Sequence, residues 1–138
     1  MLTVQLEVAQ RMTAAPGKLS LLAVSVQFYG RPSIVTHIKA GSFYPAPQVD
    51  SAVVRIEPYS RPAVDVVDRE RFFAVVKAGF SQKRKQLHNT LAAGLARPQA
   101  DVAAALERAG VDGRRRAETL TLDEWASVTR VIHSSATQ

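Results

Sequence analysis

The side chains in this sequence that are best suited to chemistry are its positive charges, because they are concentrated rather than spread evenly. The formal net charge is +6, and seven of the Lys and Arg residues lie between positions 69 and 97, together with a single Glu. Ammonium and guanidinium groups that neutralise phosphates release counterions and give salt-sensitive affinity for nucleic acid. The same groups could instead form a solvated face. The candidate phosphate-binding residues are Arg71, Lys77, Lys83, Arg84 and Lys85, with a second group at Arg114, Arg115 and Arg116.

Asp50 and Ser51 could be interpreted as an acid beside a nucleophile, but the sequence places no histidine to activate the serine hydroxyl. Asp and Ser side chains next to turns commonly bond to nearby backbone groups. We therefore expect both residues to tie the preceding loop to the strand that follows it. His37, His88 and His133 have no second ligand at the spacing of a metal site, so no metal ion is predicted.

The composition is that of a folded protein with one core, or with one core and a small appendage. The chain has 138 residues, of which 46% are hydrophobic and 22% are charged, and these are ordinary values for a globular protein. No apolar run approaches the roughly 20 residues of a membrane-spanning helix, and the first residues lack the features of a secretory signal. There is no cysteine, which excludes a disulfide framework and a cysteine nucleophile. We therefore expect a cytoplasmic protein with no membrane partner, of open oligomeric state.

The elements that would carry these side chains change character near residue 60. Before it, short runs of β-branched and apolar residues predict strands, while Pro45 and Pro47 exclude regular structure from the loop between the last two. We expect Gly30 to end the longer of two helices in a left-handed conformation. The predicted strands cover residues 2–4, 32–39 and 51–57, and the predicted helices cover residues 7–13 and 20–29.

After residue 60, helical periodicity replaces the strand pattern. Asp68 is expected to cap the first helix of this part, and Thr121 with Glu124 to form a capping box at the last. The pattern therefore predicts an α/β region in residues 1–58, followed by a small all-α domain of about four helices in residues 59–138. The second helix is predicted over residues 81–95, where it would carry the basic run, and the third over residues 98–109.

Five segments of the chain resemble, in the same order, the motifs of one enzyme family. Residues 43–51, FYPAPQVDS, are similar to the F-x-P-P-P-K-V-D-S loop of the ribosomal RNA adenine dimethyltransferases, which dimethylate adenines in 16S rRNA. Residues 80–87, FSQKRKQL, resemble the family's F-S-Q-R-R-K-T-L segment. The other matches are residues 4–9 with V-Q-K-E-V-A, residues 19–29 with L-S-x-x-x-Q-Y-Y, and residues 116–120 with R-A-E-x-L.

The resemblance implies the last strands of a Rossmann-like class I methyltransferase sheet, followed by the helical domain of the family. Phe43 matches the phenylalanine that stacks on the target adenine, and the basic residues would bind the 16S rRNA backbone of the small ribosomal subunit. The glycine-rich donor turn and the N-L-P-Y catalytic loop of the family have no counterpart in the sequence. The resemblance thus implies S-adenosylmethionine as the cofactor of a full-length relative, but no binding of it by this chain alone. It implies no catalytic residue within the chain, whose activity as an enzyme stays open.

Three interpretations follow from the sequence alone. The chain could be the C-terminal part of a 16S rRNA adenine dimethyltransferase, or a non-catalytic RNA-binding module of ribosome assembly. It could also be a relative of the methylases that modify large-subunit rRNA. The V-D-S ending of the loop and the S-Q-K-R-K segment resemble the small-subunit enzymes more closely.

Overall fold

The computed structural model describes residues 1–42 and 49–136, in which the chain folds as two compact units. The first unit contains Met1–Ala15 and Leu22–Ala63, and the second contains Pro16–Leu21 together with the chain from Val64 onward. The chain therefore contributes a short segment to the second unit before it returns to complete the first. Each unit buries its own set of apolar side chains.

The first unit is built on a sheet of three antiparallel strands. Its strands are β1 (Leu2–Gln5), β2 (Gly30–Ile38) and β3 (Ser51–Pro58), and the helices between β1 and β2 are α1 (Leu6–Met12) and α2 (Leu21–Tyr29). β3 lies in the middle and pairs with β1 along one edge and with β2 along the other. A β-bulge shifts the register of β2 against β3 between Ile34 and Thr36. The predicted α/β part of the fold is thereby confirmed.

The core of the first unit joins α1 to the middle strand. Met12 of α1 is buried with Ala52 and Val54 of β3, which are two positions apart and therefore point to the same face of the sheet. The side chain of Gln27 on α2 donates to the carbonyl oxygens of Met12 and Ala14, at 3.0 and 2.9 Å. These bonds satisfy the carbonyl group of Met12 at the end of α1 and that of Ala14 just after the helix.

The expectation that Gly30 ends α2 in a left-handed conformation is wrong. Gly30 has no positive φ and is the first residue of β2, where it pairs with Pro58 of β3. A Cβ atom at this position would lie 2.8 Å from the carbonyl oxygen of Glu57 and 2.9 Å from Cγ2 of Ile56. Glycine is required here because β3 passes too close for any side chain.

In the described residues the second unit has four helices, which confirms the predicted small all-α domain. They are α3 (Arg69–Gly79), α4 (Leu87–Gly94), α5 (Gln99–Arg108) and α6 (Leu122–Ala136), with a 3₁₀ turn at Ala117–Thr119 before the last. The fully buried side chains include Phe72, Leu87, Leu91, Leu106 and Trp125. No helix within the described part of the chain is both long enough and apolar enough to cross a bilayer.

Short polar bonds define the ends of these helices as predicted. The Oδ1 atom of Asp68 accepts from the Glu70 N–H at 2.9 Å, at the start of α3. At the start of α6, the Thr121 hydroxyl accepts from the Glu124 N–H at 3.1 Å, and the Glu124 carboxylate accepts from the Thr121 N–H at 2.9 Å. Gly110 follows α5 with a φ of 76°, the left-handed conformation that ends many helices.

The prediction of one continuous helix from Ser81 to Leu95 is wrong. Residues 81–86 form turns and bends, and α4 begins only at Leu87. The Ser81 hydroxyl donates back to the carbonyl oxygen of Ala78 at 2.6 Å, a local bond that competes with helix continuation. The basic run at 83–85 therefore lies on a turn between two helices.

Candidate nucleic-acid interface

The turn between α3 and α4 presents three consecutive positive charges to solvent. We define the basic turn as residues 81–86, and its Lys83, Arg84 and Lys85 are all exposed. None of the three forms an ion pair with a residue that the structure describes. The Lys85 N–H donates to the Gln82 carbonyl at 3.2 Å, which shapes the turn. The three charges are thus open to an external anion.

A second basic segment lies against the start of α4. We define the arginine loop as residues 112–116. The Leu87 N–H donates to the carbonyl oxygen of Arg115 at 2.7 Å, and the His88 N–H donates to that of Gly113 at 3.0 Å. These bonds satisfy donors that a helix leaves unpaired in its first turn. Because α4 begins directly after the basic turn, they bring together two basic segments that are distant in the sequence, and we name this region the basic junction.

Arg114 and Arg116 differ in how much positive charge they leave unpaired in the arginine loop. The Nη2 atom of Arg114 is 3.1 Å from Oδ2 of Asp112, and the Arg114 N–H donates to Oδ1 at 2.9 Å. The side-chain bonds between the two raise the pKa of Arg114 and lower the pKa of Asp112. Arg116 is exposed and forms no ion pair with a described residue. Arg116 therefore adds an unpaired charge, whereas Arg114 carries its own counter-ion.

Arg115 is engaged within the protein rather than directed only to solvent. Its Nη1 and Nη2 atoms donate to the two carboxylate oxygens of Glu124, at 2.5 and 3.1 Å. Nη2 also donates to the carbonyl oxygen of Thr119 at 2.6 Å. The hydrogen bond with Arg115 lowers the pKa of Glu124 and raises that of the guanidinium. Arg115 thus holds the arginine loop to the start of α6. In the sequence, only the capping-box residue Glu124 points to this role.

The two candidate residues on α3 are not equivalent. Lys77 is exposed in the last turn of α3, directly before the basic turn. Arg71 is also exposed, but its Nε atom lies 3.5 Å from Oδ2 of Asp68 in the first turn. Six residues of helix rotate the chain by about 600°, so Arg71 and Lys77 are roughly 120° apart around α3. The backbone therefore brings Lys77, but not Arg71, beside the basic turn.

The base of the loop that carries Phe43 lies in the first unit, although Phe43 itself lies outside the described residues. The Asp50 carboxylate accepts from the N–H of Ala40 at 2.9 Å, and its other oxygen is 2.8 Å from Nε2 of His37. The carbonyl oxygen of Asp50 accepts from the Leu6 N–H at 2.9 Å. The Ala40 bond, and next the His37 bond, lower the pKa of Asp50. Asp50 therefore joins the two ends of the loop, and its side-chain partners lie at the end of β2 rather than on β3, the strand that the sequence suggested.

The described residues offer charge and hydrogen bonding rather than metal ligands. In residues 1–42 and 49–136, no group of three His, Asp or Glu side chains could hold a metal ion. His88 shows the alternative use of an imidazole, since its Nδ1 atom is 2.7 Å from the carbonyl oxygen of Gly113. That contact strengthens the connection between α4 and the arginine loop.

Comparison with known proteins shows where this combination of sheet and helices recurs. Residues 1–134 match the family described as ribosomal RNA adenine dimethylase. A ribosomal RNA small subunit methyltransferase A from Dehalococcoides mccartyi is 46% identical over 122 residues, which cover 88% of this chain and 42% of that protein. The enzyme of the same name from Moorella thermoacetica is 43% identical over 133 residues, or 95% of this chain and 46% of that protein. The chain thus spans less than half the length of these relatives.

Two solved structures resemble the fold. A dimethyladenosine transferase from Plasmodium falciparum superposes with a TM-score of 0.78 at 20% identity, over 98% of this chain and 57% of that one. The 23S rRNA methyltransferase ErmE superposes with a TM-score of 0.65 at 26% identity, over 95% of this chain and 53% of that one. The three antiparallel strands and the helices that follow therefore have the fold of the corresponding region of these proteins.

Proposed function

This chain belongs to the ribosomal RNA adenine dimethylase family, and we propose that it is the C-terminal part of an S-adenosylmethionine-dependent 16S rRNA adenine dimethyltransferase. In this proposal it acts in the cytoplasm during assembly of the small ribosomal subunit. The second unit binds the rRNA backbone, and the first unit presents the target adenine. Relatives named for the small-subunit enzyme are 43% and 46% identical to the chain, which favours 16S rRNA over 23S rRNA.

The observation that carries the proposal is the basic junction. Its unpaired charges come from two segments that meet only because the first turn of α4 bonds to the arginine loop. Such charges bind phosphates and position an RNA without reading its sequence. The proposed contacts are Lys83, Arg84, Lys85 and Arg116, extended by Lys77, with the partly neutralised Arg71 and Arg114 at the margin and Arg115 holding the loop in shape.

We propose that Phe43 stacks on the adenine whose exocyclic amine is methylated. An enzyme that modifies a base must remove it from its stack, and an aromatic ring compensates by stacking on it. S-adenosylmethionine, held by the part of a full-length relative that this chain does not span, would supply the methyl group for the exocyclic amine of that adenine. This step needs no nucleophile from the protein. The contacts of Asp50 support the proposed role of Phe43 because they connect described residues on either side of its loop.

The described residues do not form a site for S-adenosylmethionine. Donor sites of doubly wound folds lie at the carboxyl ends of parallel strands, where a glycine-rich turn leads into a helix. In the described part of the chain all strand pairs are antiparallel, and β1 passes into α1 through Gln5 and Leu6 without a glycine. We therefore propose that the donor pocket and the catalytic loop belong to the part of a full-length relative that this chain does not span.

The test is the affinity of the chain for 16S rRNA at several salt concentrations. Replacing Lys83, Arg84 and Lys85 by alanine is expected to weaken binding and to flatten its dependence on salt, because fewer counterions are released. The double variant Lys83→Ala/Lys85→Ala can be compared with Arg11→Ala/Arg55→Ala, which also removes two exposed charges but lies in the first unit, outside the basic junction. Equal affinities for these two double variants would contradict the proposal.

A non-catalytic RNA-binding module would contain the same basic junction as the enzyme. The two proposals differ in one activity, because only the enzyme would transfer a methyl group to the bound RNA. The experiment adds the donor-binding part of a full-length relative to this chain and measures methyl transfer from labelled S-adenosylmethionine to 16S rRNA. Its result distinguishes the enzyme from the RNA-binding module. Transfer that requires this chain and falls in Phe43→Ala supports the enzyme. Transfer that is unaffected by Phe43→Ala removes the proposed stacking role.

A further inference from the structure

We propose that two exposed tyrosines of the first unit, Tyr29 and Tyr59, form with Arg31 and Arg61 a platform that stacks the bases of a single-stranded RNA segment. This inference rests on the proposed function and extends it. The platform uses none of the residues of the basic junction and does not involve the Phe43 loop.

The two tyrosines are neighbours that are held in place by the backbone. Tyr29 is 46% exposed and Tyr59 is 44% exposed, although both are large rings on a folded unit. The Tyr59 N–H donates to the carbonyl oxygen of Tyr29 at 2.8 Å, and the Ala63 N–H donates to that of Phe28 at 2.9 Å. The fully buried ring of Phe28 meets the Tyr29 ring edge-on, with centroids 4.9 Å apart. The segment from 59 to 63 is therefore fixed along the end of α2.

Positive charge surrounds this aromatic pair. Each tyrosine is followed two positions later by an exposed arginine, Arg31 and Arg61 respectively. Glu57 stands opposite Arg31 in the register of β2 and β3, and it also lies 3.7 Å from the Nε atom of Arg55. Glu57 pairs with Arg55, and neither Arg31 nor Arg61 forms an ion pair with a described residue, so two guanidinium charges stay unpaired in the segments that carry the rings.

An unpaired RNA strand is the partner that fits this chemistry. Every base has a π-face, so stacking on tyrosine tolerates any sequence, and arginines beside the rings can contact the connecting phosphates. Single-stranded segments are also the parts of rRNA whose bases are free to leave their own stack. Because the backbone around Tyr59 is already fixed, binding orders little of the protein and the cost in conformational entropy is low.

Photocrosslinking of the whole chain locates the contact. The probe is an oligouridine that contains 5-iodouridine, whose photochemistry favours aromatic side chains, and the crosslinked peptides are identified by mass spectrometry. We expect crosslinks at Tyr29 or Tyr59. Crosslinks confined to other peptides would overturn the platform.

Variants of Tyr59 separate stacking from simple apolar contact. Tyr59→Phe keeps the ring and is expected to bind the oligouridine like the parent chain. Tyr59→Leu keeps apolar area without the π-face and is expected to bind at least about fivefold more weakly, the lower end of the range for one stacked base. Arg61→Gln is expected to reduce the slope of affinity against salt by about one. Equal affinity of the Leu and Phe variants would refute the stacking role and assign the tyrosines to another contact, such as a protein.

The proposed function is tested by a separate measurement, the binding of 16S rRNA. If replacing Lys83, Arg84 and Lys85 weakens 16S rRNA binding while both Tyr59 variants match the parent, the platform is refuted and the proposed function stands. If the parent chain binds neither the oligouridine nor 16S rRNA, both proposals fail. Circular dichroism of each variant confirms that a lost affinity is not a lost fold.

Discussion

A single carboxylate, that of Asp50, connects the two ends of the Phe43 loop, in addition to the pairing of Ile38 with Ser51 at its base. It accepts from Ala40 at the start of the loop and contacts His37 on β2, while its own backbone continues into β3. The peptide bond between Lys39 and Ala40 is therefore held through its own N–H group. A protease must pull that bond away from the protein before it can cut, so its cleavage rate reports on the Asp50 contact.

We predict that Asp50→Ala accelerates tryptic cleavage after Lys39, because the bond that restrains the Ala40 N–H is removed. Mass spectrometry of timed digests measures the rate. Cleavage after Lys18 in the same digest is the internal control, since the N–H of Leu19 bonds to the carbonyl oxygen of Glu118 and not to Asp50. Equal rates after Lys39 in the parent and the variant would show that Asp50 does not restrain the loop.

The ion pair between Arg115 and Glu124 makes the stability of the second unit depend on pH. Because the folded protein lowers the pKa of Glu124, the charged carboxylate stabilises the fold above the ordinary value of 4.5, and this contribution is lost as the pH falls through the lowered pKa. We predict that Glu124→Gln lowers the free energy of unfolding by about 1 kcal/mol at pH 7, since the pair is only partly exposed. The difference from the parent should shrink below pH 4.5.

Urea unfolding at pH 7 and at acid pH measures this difference. Glu107→Gln is the matched control, because Glu107 is exposed on α5 and forms no ion pair with a described residue. A loss of stability in Glu124→Gln that stays constant across the pH range would mean that charge is not its cause.

At the scale of elements, the end of α3 packs against α6 at a glycine. A Cβ atom on Gly79 would overlap the ring of Trp125, which is fully buried. Alanine in a helix gains roughly 0.5–1 kcal/mol over glycine, but overpacking a core costs about 1–3 kcal/mol. The steric cost is the larger of the two effects.

We therefore predict that Gly79→Ala lowers the melting temperature by several degrees, at roughly 4 °C for each kcal/mol in a chain of 138 residues. Differential scanning calorimetry measures the shift. Gly41→Ala is the control, since a Cβ atom there would meet nothing within 4 Å among the residues that the structure describes. If both variants melt at the same temperature, the contact with Trp125 does not limit this position.

The elements also show where sequence reasoning succeeds and where it fails. Strand pattern and helix caps predict most elements here because their signals are local, as with Asp68 and the capping box at Thr121. The helix predicted through the basic turn fails because its start depends on carbonyl groups of the arginine loop, which no local pattern contains. For the same reason the sequence shows the basic junction only as two separate basic runs and does not distinguish Arg115 from Arg114 and Arg116.

For the molecule as a whole, we predict that this chain alone does not bind S-adenosylmethionine at micromolar concentration. It spans 42% and 46% of two relatives, and its described strands lack the parallel edge on which donor sites are built. Isothermal titration calorimetry makes the measurement, with the full-length Moorella thermoacetica relative as the positive control. Micromolar binding by the chain would show that the donor pocket lies within it.

The early segment Pro16–Leu21, which belongs to the second unit, limits how genes for such proteins can recombine. Leu19 is 5% exposed in the second unit, and the N–H groups of Gly17 and Leu19 share the carbonyl oxygen of Glu118, at 3.0 and 3.2 Å. A gene cut near codon 60 would supply four helices without the short early segment that completes their hydrophobic interior. The chain after residue 60 is therefore not a complete folding unit that recombination could move to another protein. We expect the two units to be inherited together.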